Sequence, residues 1–599
     1  MNEHHGEIKT RYNRFLLFVA GLGGLLYGVD VGIISGALPY LEATSGLSAG
    51  QLSFVVAAVL LGSVISTLFA GLLSDWLGRK KIMSLSGILF VISIPIIALA
   101  HGYWPLVFGR LLQGISAGLI GVVVPLYLAE CLGAANRGKG TAIFQWLLTL
   151  GIVAAAVIGL YFSARVDEVA KLGDAGQLFA FKDTAWRGIF WISLPPGILF
   201  VIGSFMVAES PRWLFRRGQK DAARGALLRS RTDEQAEIEL NEMAETMAAE
   251  KARSAGALVK ESLLRRKYVI PFLLACIILA CNQATGVNSV IAYNATILIQ
   301  AGLGDNQAHL GYLLFTMVNF LATIGAIVLV DRKGRKFLLS LGSAGVIISL
   351  VCVGLLFHKT EKLRVDCKDA IQTLVSTNQT LTLAFNQSTA AKLLTGTSAN
   401  TSTPLSLVVI YSYGGFQATV PPVRSDDATA KPIEISPAGC VPANKVLALF
   451  NNPFANLDAA RVAPLKIDAA LITPVPGRQN GWLTAICLFS FIAFFAVGPG
   501  VCVWLALSEL MPTRIRANGM SIALTINQAV STTIAAIFLP TVGKYGYATL
   551  FFAFAGCTVV YFITATFFLP ETKGKTLEEI EEHFEGGKKM EPPATISGS

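Results

Sequence analysis

The sequence predicts an all-α membrane protein of twelve transmembrane helices arranged as two pseudo-symmetric six-helix bundles. Three observations predict it. Of the 599 residues, 53% are apolar and only 14% are charged, with a mean hydropathy of +0.59, where a soluble domain carries about a quarter charged residues. Apolar runs of about twenty residues, each long enough to span a bilayer, recur twelve times along the chain. The charged loops between those runs are also doubled. Gly71–Lys81 reads GLLSDWLGRKK, and Asp331–Lys336 reads DRKGRK 256 residues later, matching Asp75 with Asp331, Gly78 with Gly334, Arg79 with Arg335 and Lys80 with Lys336. Glu130 stands seven residues before Arg137, and Glu509 stands seven before Arg516, an offset of 379. Repeats of this kind mark a membrane protein built from two homologous halves.

The predicted spans fall at 15–40, 52–73, 82–101, 104–130, 140–163, 187–208, 268–300, 310–330, 337–358, 482–510, 517–540 and 547–569. Several contain Gly and Pro, which membrane helices tolerate because neighbours satisfy the freed backbone groups. Arg11, Arg14, Arg79–Lys81, Arg137, Lys139, Arg212–Arg217, Arg332–Lys336, Arg514, Arg516 and Lys573 all fall in even-numbered gaps or at the termini. The excess of Lys and Arg on one side predicts that both termini are cytoplasmic, in a multi-pass protein of the plasma (inner) membrane. The first apolar run is too long for a cleaved signal and serves as its own targeting segment.

Six regions follow: an N-terminal bundle (1–208), a charged cytoplasmic helical linker (209–267), helices 7–9 (268–358), an extracytoplasmic loop domain (359–480), helices 10–12 (481–570) and a cytoplasmic tail (571–599). The two repeat offsets, 256 before the loop and 379 after it, differ by 123, against 122 residues in the loop itself. The halves match once the loop is removed. The loop is rich in Ser, Thr, Asn and Pro, and carries sequons at Asn378, Asn386 and Asn400. Leu405–Tyr413 reads as a strand, which predicts a small β-containing domain. Cys367 and Cys440 are the only cysteines of the loop, and an oxidising compartment would allow them to bridge. The other seven cysteines sit in or beside apolar runs at no metal-ligand spacing and read as packing residues. The net charge of +10 comes from short clusters between spans, a topology signal rather than a nucleic-acid surface.

A set of motifs stands in one order along the chain: Gly71–Lys81, Arg110–Gly118 (RLLQGISAG), Pro125–Glu130 (PLYLAE), Glu209–Leu214 (ESPRWL), Gln283–Asn288 (QATGVN), Asp331–Lys336, Gly498–Gly500 with Trp504, and Pro570–Gly574 (PETKG). Together they resemble the sugar porter family of the major facilitator superfamily, over nearly all the chain apart from 359–480 and the tails. The long loop between helices 9 and 10 is similar in layout to proton-coupled myo-inositol porters. The resemblance implies a secondary carrier that moves a monosaccharide or polyol by alternating access. A facilitative uniporter and a non-transporting sugar sensor are the alternatives. No nucleophile–base or metal constellation points to an enzyme. The partners expected are a small sugar or polyol and the lipid bilayer, with no nucleic acid, no metal and no cofactor beyond a coupling proton, in a monomer.

Asp30 lies inside the first apolar run, where an unpaired carboxylate costs several kcal/mol. Arg110, at the start of the fourth span, is its nearest plausible partner. A carboxyl that pairs in one state and takes a proton in another meets the physical requirement of proton coupling. The resemblance adds that proton-coupled sugar porters carry Asp at this position. A hydroxylated substrate needs neutral hydrogen bonds near the midplane. The candidates are Gln145, Asn282, Gln283, Asn288, Asn319, Asn527 and Gln528, with Trp504 as an apolar face. Asn282 departs from the family's usual second Gln. Gln528 replaces an aromatic, and Ala292 takes the place of the first of an aromatic pair, leaving Tyr293. Hexose, pentose and myo-inositol therefore stay open. Asp75, Arg79, Glu130, Arg137, Asp331, Arg335, Glu509 and Arg516 form an expected cytoplasmic gate, pairing across helix ends and broken by inward opening. Pro125, Gly286 and Gly498–Gly500 are expected bending points.

Overall fold

The computed structural model describes residues 2–132, 134–256, 265–395, 403–427, 432–445, 447–448, 452–503, 510–511, 515–571 and 583–584. The first half comprises α1 (Asn2–Ser45), α2 (Ala49–Leu77), α3 (Arg79–Ala98), α4 (Tyr103–Cys131), α5 (Ala134–Ala170), α6 (Ala175–Trp191) and α7 (Leu194–Met206). The sixth span is thus two pieces, because the prolines at 195 and 196 open α7 and cannot continue α6. Three helices without a membrane-length apolar run follow: α8 (Pro211–Arg216), α9 (Lys220–Leu228) and α10 (Asp233–Gly256).

The second half begins with α11 (Arg266–Ala284), α12 (Val287–Ala292) and α13 (Asn294–Gln300), then α14 (Asp305–Lys333) and α15 (Arg335–Glu361). The seventh span breaks at Gly286, whose φ of 79° is left-handed and whose missing side chain leaves room for the Phe554 ring. Beyond the distal domain lie α19 (Arg478–Phe495), a π-turn at Ala496–Gly500, and α20 (Arg516–Ile563). Among the described residues, eleven stretches are long and apolar enough to cross a membrane, and the last, Gly519–Phe568, runs 50 residues. It is interrupted at Gly546 (φ 90°, ψ 166°). Divided there, it supplies the eleventh and twelfth spans.

The inserted segment folds around its own apolar core. It contains β1 (Val365–Asp366), α16 (Lys368–Gln372), β2 (Leu381–Leu383), α17 (Gln387–Leu393), β3 (Leu405–Tyr413), β4 (Phe416–Thr419), β5 (Val423–Arg424), β6 (Ile433–Ile435), α18 (Leu457–Val462) and β7 (Leu465–Pro474). The main sheet runs β1-β7-β3-β4 with β5 also on β3, all antiparallel, and β2 pairs with β6. The predicted strand at Leu405–Tyr413 is the central β3. Its near-continuous burial follows from two covered faces: Leu407 and Val409 enter the domain core, while Val408 approaches Gly543 of α20.

Cys367 and Cys440 enter this core as free thiols. The bridge that the sequence allowed is not formed. Cys367 sits where the chain enters α16, its amide donating to Ala470 O at 2.8 Å, while the Cys440 thiol donates to Phe416 O at 3.1 Å. Burial raises the Cys367 thiol and pushes that of Cys440 up to about 11.

The halves meet unevenly. At the face bearing the distal domain, one apolar core joins Ile33, Leu38 and Leu52 of the first half to Tyr293, Ile297, Tyr312 and Phe538 of the second. At the opposite, terminal face each half keeps its own core, around Leu16, Ile82 and Leu128 in one and Leu274, Leu338 and Leu510 in the other. The molecule is therefore closed distally.

Candidate functional site

Asp30 and Arg110 are buried within the first half, 1% and 2% exposed, with Oδ1 and Nη1 3.6 Å apart. That is too long for a charge-assisted hydrogen bond, which holds at roughly 2.7–2.9 Å. The same Nη1 donates to Gln113 Oε1 at 2.7 Å, and the guanidinium lies 5.7 Å from the centroid of Phe190. Neither oxygen of Asp30 has a hydrogen-bond partner among the described residues. Gln113 was missed in the sequence, although it lies one turn after Arg110 in the same RLLQG motif. α1 comes this close to α5 because Gly28 and Gly151 each abut the backbone of the opposite helix.

The amides of the second half form one network. Gln283 Nε2 donates to Asn527 Oδ1 at 3.3 Å, and Asn288 Nδ2 donates to Gln283 Oε1 at 2.9 Å and to Ser531 Oγ at 2.8 Å. Asn527 Nδ2 donates to Leu279 O at 2.9 Å. The break at Gly286 is what lets Gln283 and Asn288, on different helices, touch. Ser531, one turn after Asn527, had no motif to mark it. Asn282 is engaged differently: its Nδ2 donates to Pro499 O at 3.0 Å, tying α11 to the π-turn. The amide expected to meet substrate thus braces two backbone breaks.

Gln145 is exposed, and Asn319 and Gln528 are half-buried. Gln145 precedes Ser163 by eighteen residues, about five full turns, and Ser163 reaches Asp305 of the other half. Asn319 follows Tyr312 by about two turns, and Tyr312 donates to Gly32 O at 2.9 Å. Both amides therefore lie on faces turned toward the opposite half. Trp504 lies outside the described residues.

The distal closure is polar as well as apolar, and of its residues the sequence singled out Tyr293 alone. Asp305 Oδ2 accepts from Tyr40 OH at 2.7 Å and from Ser163 Oγ at 2.8 Å. His309 stacks on Tyr40 with centroids 5.5 Å apart, its Nε2 3.2 Å from Gly36 O. Ser53 Oγ accepts the Leu539 amide at 3.0 Å, and Tyr293 OH donates to it at 3.3 Å. Tyr293 also stacks on Phe538, at 4.2 Å.

At the terminal face, Arg79 grips Glu130 through two bonds, Nε–Oε2 at 2.8 Å and Nη2–Oε1 at 2.9 Å, and also pairs with Asp75 at 2.8 Å. Ser210 donates to the same Glu130. These contacts join α2, α3, α4 and the start of α8 within one half. They stand while the cores of the two halves are separate at this face, so Arg79 and Glu130 brace one half from within. Glu209 accepts the amides of Arg79 and Lys80 at 2.9 and 3.0 Å. Glu571 does the same for Arg335 and Lys336 at 3.1 and 3.2 Å. Gly78 and Gly334 hold φ of 100° and 87°, turning each loop onto its glutamate. The doubled loop is thus matched by a doubled cap. The side chains of Arg137, Asp331 and Arg516 lie outside the described residues, as does Glu509.

The family model "Sugar (and other) transporter" matches residues 16–388 and 467–584. The chain belongs to this family. The gap in the match falls within the distal domain and is narrower than the 359–480 insertion read from the repeat offsets. The chain is 28% identical over 576 residues to the glucose transporter GlcP of Staphylococcus epidermidis, covering 95% of this chain and 97% of that one. It is 26% identical to the galactose-proton symporter of Escherichia coli K12, covering 96% and 95%. It is also 26% identical to the human proton myo-inositol cotransporter, covering 94% and 81%. Its fold matches the partially occluded inward open structure of the xylose transporter XylE from E. coli, with a TM-score of 0.61 at 18% identity, covering 94% and 100%. The fold is that of the major facilitator transporters, and the family is one of transporters rather than enzymes.

Proposed function

We propose that the chain carries a monosaccharide or polyol across the membrane together with a proton, by alternating exposure of a central site between the halves. The observation that carries this reading is the Asp30–Arg110 pair. Two opposite charges lie buried in a membrane bundle, 3.6 Å apart, with the arginine shared with Gln113. A buried carboxyl without hydrogen bonds is held at least cost when it carries a proton. Closer approach of Arg110 would favour its loss. The two arrangements make a proton carrier whose state depends on small helix movements.

Gln145, Gln283, Asn288, Asn319, Asn527 and Gln528 are the hydrogen-bonding surface for the substrate in this reading, with Trp504 as its apolar face. The amides now bonded to one another would exchange those bonds for substrate hydroxyls at little net cost. The named activities of the relatives, galactose–proton symport and proton–myo-inositol cotransport, support the substrate class. The terminal face is then cytoplasmic and the distal domain external, in the plasma membrane, with the chain acting as a monomer. The test is uptake of D-galactose, D-xylose and myo-inositol by reconstituted protein with the external pH recorded. Alkalinisation on adding one of them supports the reading, and uptake without a proton signal makes the chain a uniporter.

A further inference from the structure

His309 of α14 is 0% exposed at the distal closure, and both of its ring nitrogens face backbone carbonyls. Nδ1 stands 2.9 Å from Asp305 O on its own helix. Nε2 stands 3.2 Å from Gly36 O, on α1 of the other half. A carbonyl oxygen can only accept, and a neutral imidazole has a single N–H to give. With a neutral ring, one of the two contacts sets a bare nitrogen against an oxygen inside the closure. An imidazolium carries a proton on each nitrogen and satisfies both.

The surroundings suit that cation. Asp305 Oδ1 lies 3.6 Å from Nδ1, while Oδ2 of the same carboxylate accepts from Tyr40 and Ser163 of the first half. Asp167 of α5 is a second carboxylate within electrostatic reach of the ring and of Asp305, with Lys171 as its opposing charge. From α1 the facing titratable group is Tyr40, whose ring stacks on the imidazole at 5.5 Å. A place near the start of α14 disfavours a cation, and the two carboxylates oppose that effect. The ring also has little room to turn away. A side-chain carbon added to Gly159 of α5 would stand 3.3 Å from His309 Cδ2.

We infer that His309 is a second proton-binding site, loaded as the distal side closes and emptied as it opens. The bond it adds spans the two halves, so the proton and the closure are linked in both directions. Closing takes up a proton, and raising the distal pH favours opening. The site acts on the closure and not on the substrate, so it stands apart from the assignment of coupling to Asp30.

The test is ¹⁵N-histidine NMR of the full-length protein in detergent, titrated from about pH 6 to about pH 9, the range in which ordinary imidazoles lose their charge. One doubly protonated ring should persist after the exposed His101 has become neutral, and it should vanish in His309→Gln. If that variant does not fold, Asp305→Asn leaves the ring and withdraws its carboxylate, and the persistent signal should then be lost at lower pH. The link to closure is read by thiol labelling of an Ile297→Cys reporter from the distal side. Its quickening between the two ends of the titration, divided by that in His309→Gln, cancels the thiol's own titration and should be about tenfold. No persistent imidazolium, one that survives His309→Gln or ignores Asp305→Asn, or a labelling ratio near one would overturn the inference. A persistent His309 signal in a protein without proton-coupled uptake would uphold this site and overturn the transport reading. Coupled uptake without that signal would do the reverse.

Discussion

Arg110 Nη1 donates to Gln113 Oε1 at 2.7 Å while standing 3.6 Å from Asp30 Oδ1. The guanidinium is thus held by a neutral neighbour on its own helix, and the carboxyl on the next helix is left without a bond. Removing that neighbour should expose the cost of the arrangement. Gln113→Ala leaves a buried Nη1 short of an acceptor, at about 1–3 kcal/mol, and thermal unfolding of the purified variant should show the loss. A melting temperature equal to the parent's would mean that Asp30 already holds the arginine.

The brace at the terminal face predicts a larger effect. Arg79→Gln leaves Glu130 buried without its cation, and breaking a buried pair from one side costs about 3–5 kcal/mol. The double variant Arg79→Gln with Glu130→Gln should lose less than the sum of the singles. Additive losses in a double-mutant cycle would show that the pair contributes nothing as a pair.

The caps on the doubled loop are expected to be equivalent. Glu209→Ala and Glu571→Ala each leave two amides of a tight turn without their acceptor, and each should lower stability by about 1–3 kcal/mol. A loss in one half alone would mean that the structural repeat is not an energetic one. Denaturation of the two variants in the same detergent gives the comparison.

Much of the molecule was legible in the sequence because its signals are local. Apolar run length gave the spans, repeat offsets pointed to an insertion, and the strand-like run Leu405–Tyr413 gave β3. Asp30 and Arg110 were legible because a charge inside an apolar run demands a partner. What escaped depends on contacts distant in sequence. Glu209 and Glu571 were visible only as letters of two motifs, since capping a turn about 130 or 236 residues upstream leaves no periodic trace. Tyr40 and Asp305, 265 residues apart, look like ordinary span ends until the halves are brought together. Matching charges at helix ends likewise do not say that Arg79 and Glu130 pair within one half.

The distal closure predicts a shift in state. Asp305→Ala removes the acceptor of two hydroxyl bonds across the halves, so the distal-open state should gain by about 1–3 kcal/mol. With Ile297→Cys as the reporter, now fully buried, labelling by an impermeant thiol reagent from the distal side should quicken about tenfold. Unchanged labelling, measured against the nine native cysteines, would show that apolar packing alone holds the closure.

The thiols of the distal domain predict a pH dependence. The thiolate is the reacting form, and its fraction rises with pH toward the thiol's pKa. With Cys440 pushed up to about 11 by burial and Cys367 also raised, alkylation at pH 8 should be slow in the folded domain. It should go to completion on unfolding without reductant. Thiols that appear only after reduction would instead reveal the Cys367–Cys440 bridge.

The most direct test of the central claim is proton movement during uptake by Asp30→Asn, which keeps the shape and removes the titrating group. In vesicles, substrate added to the parent protein should alkalinise the outer medium, and the variant should give no such signal while still exchanging labelled substrate across the membrane. A proton signal that survives Asp30→Asn would contradict the assignment of the coupling site to Asp30 and Arg110.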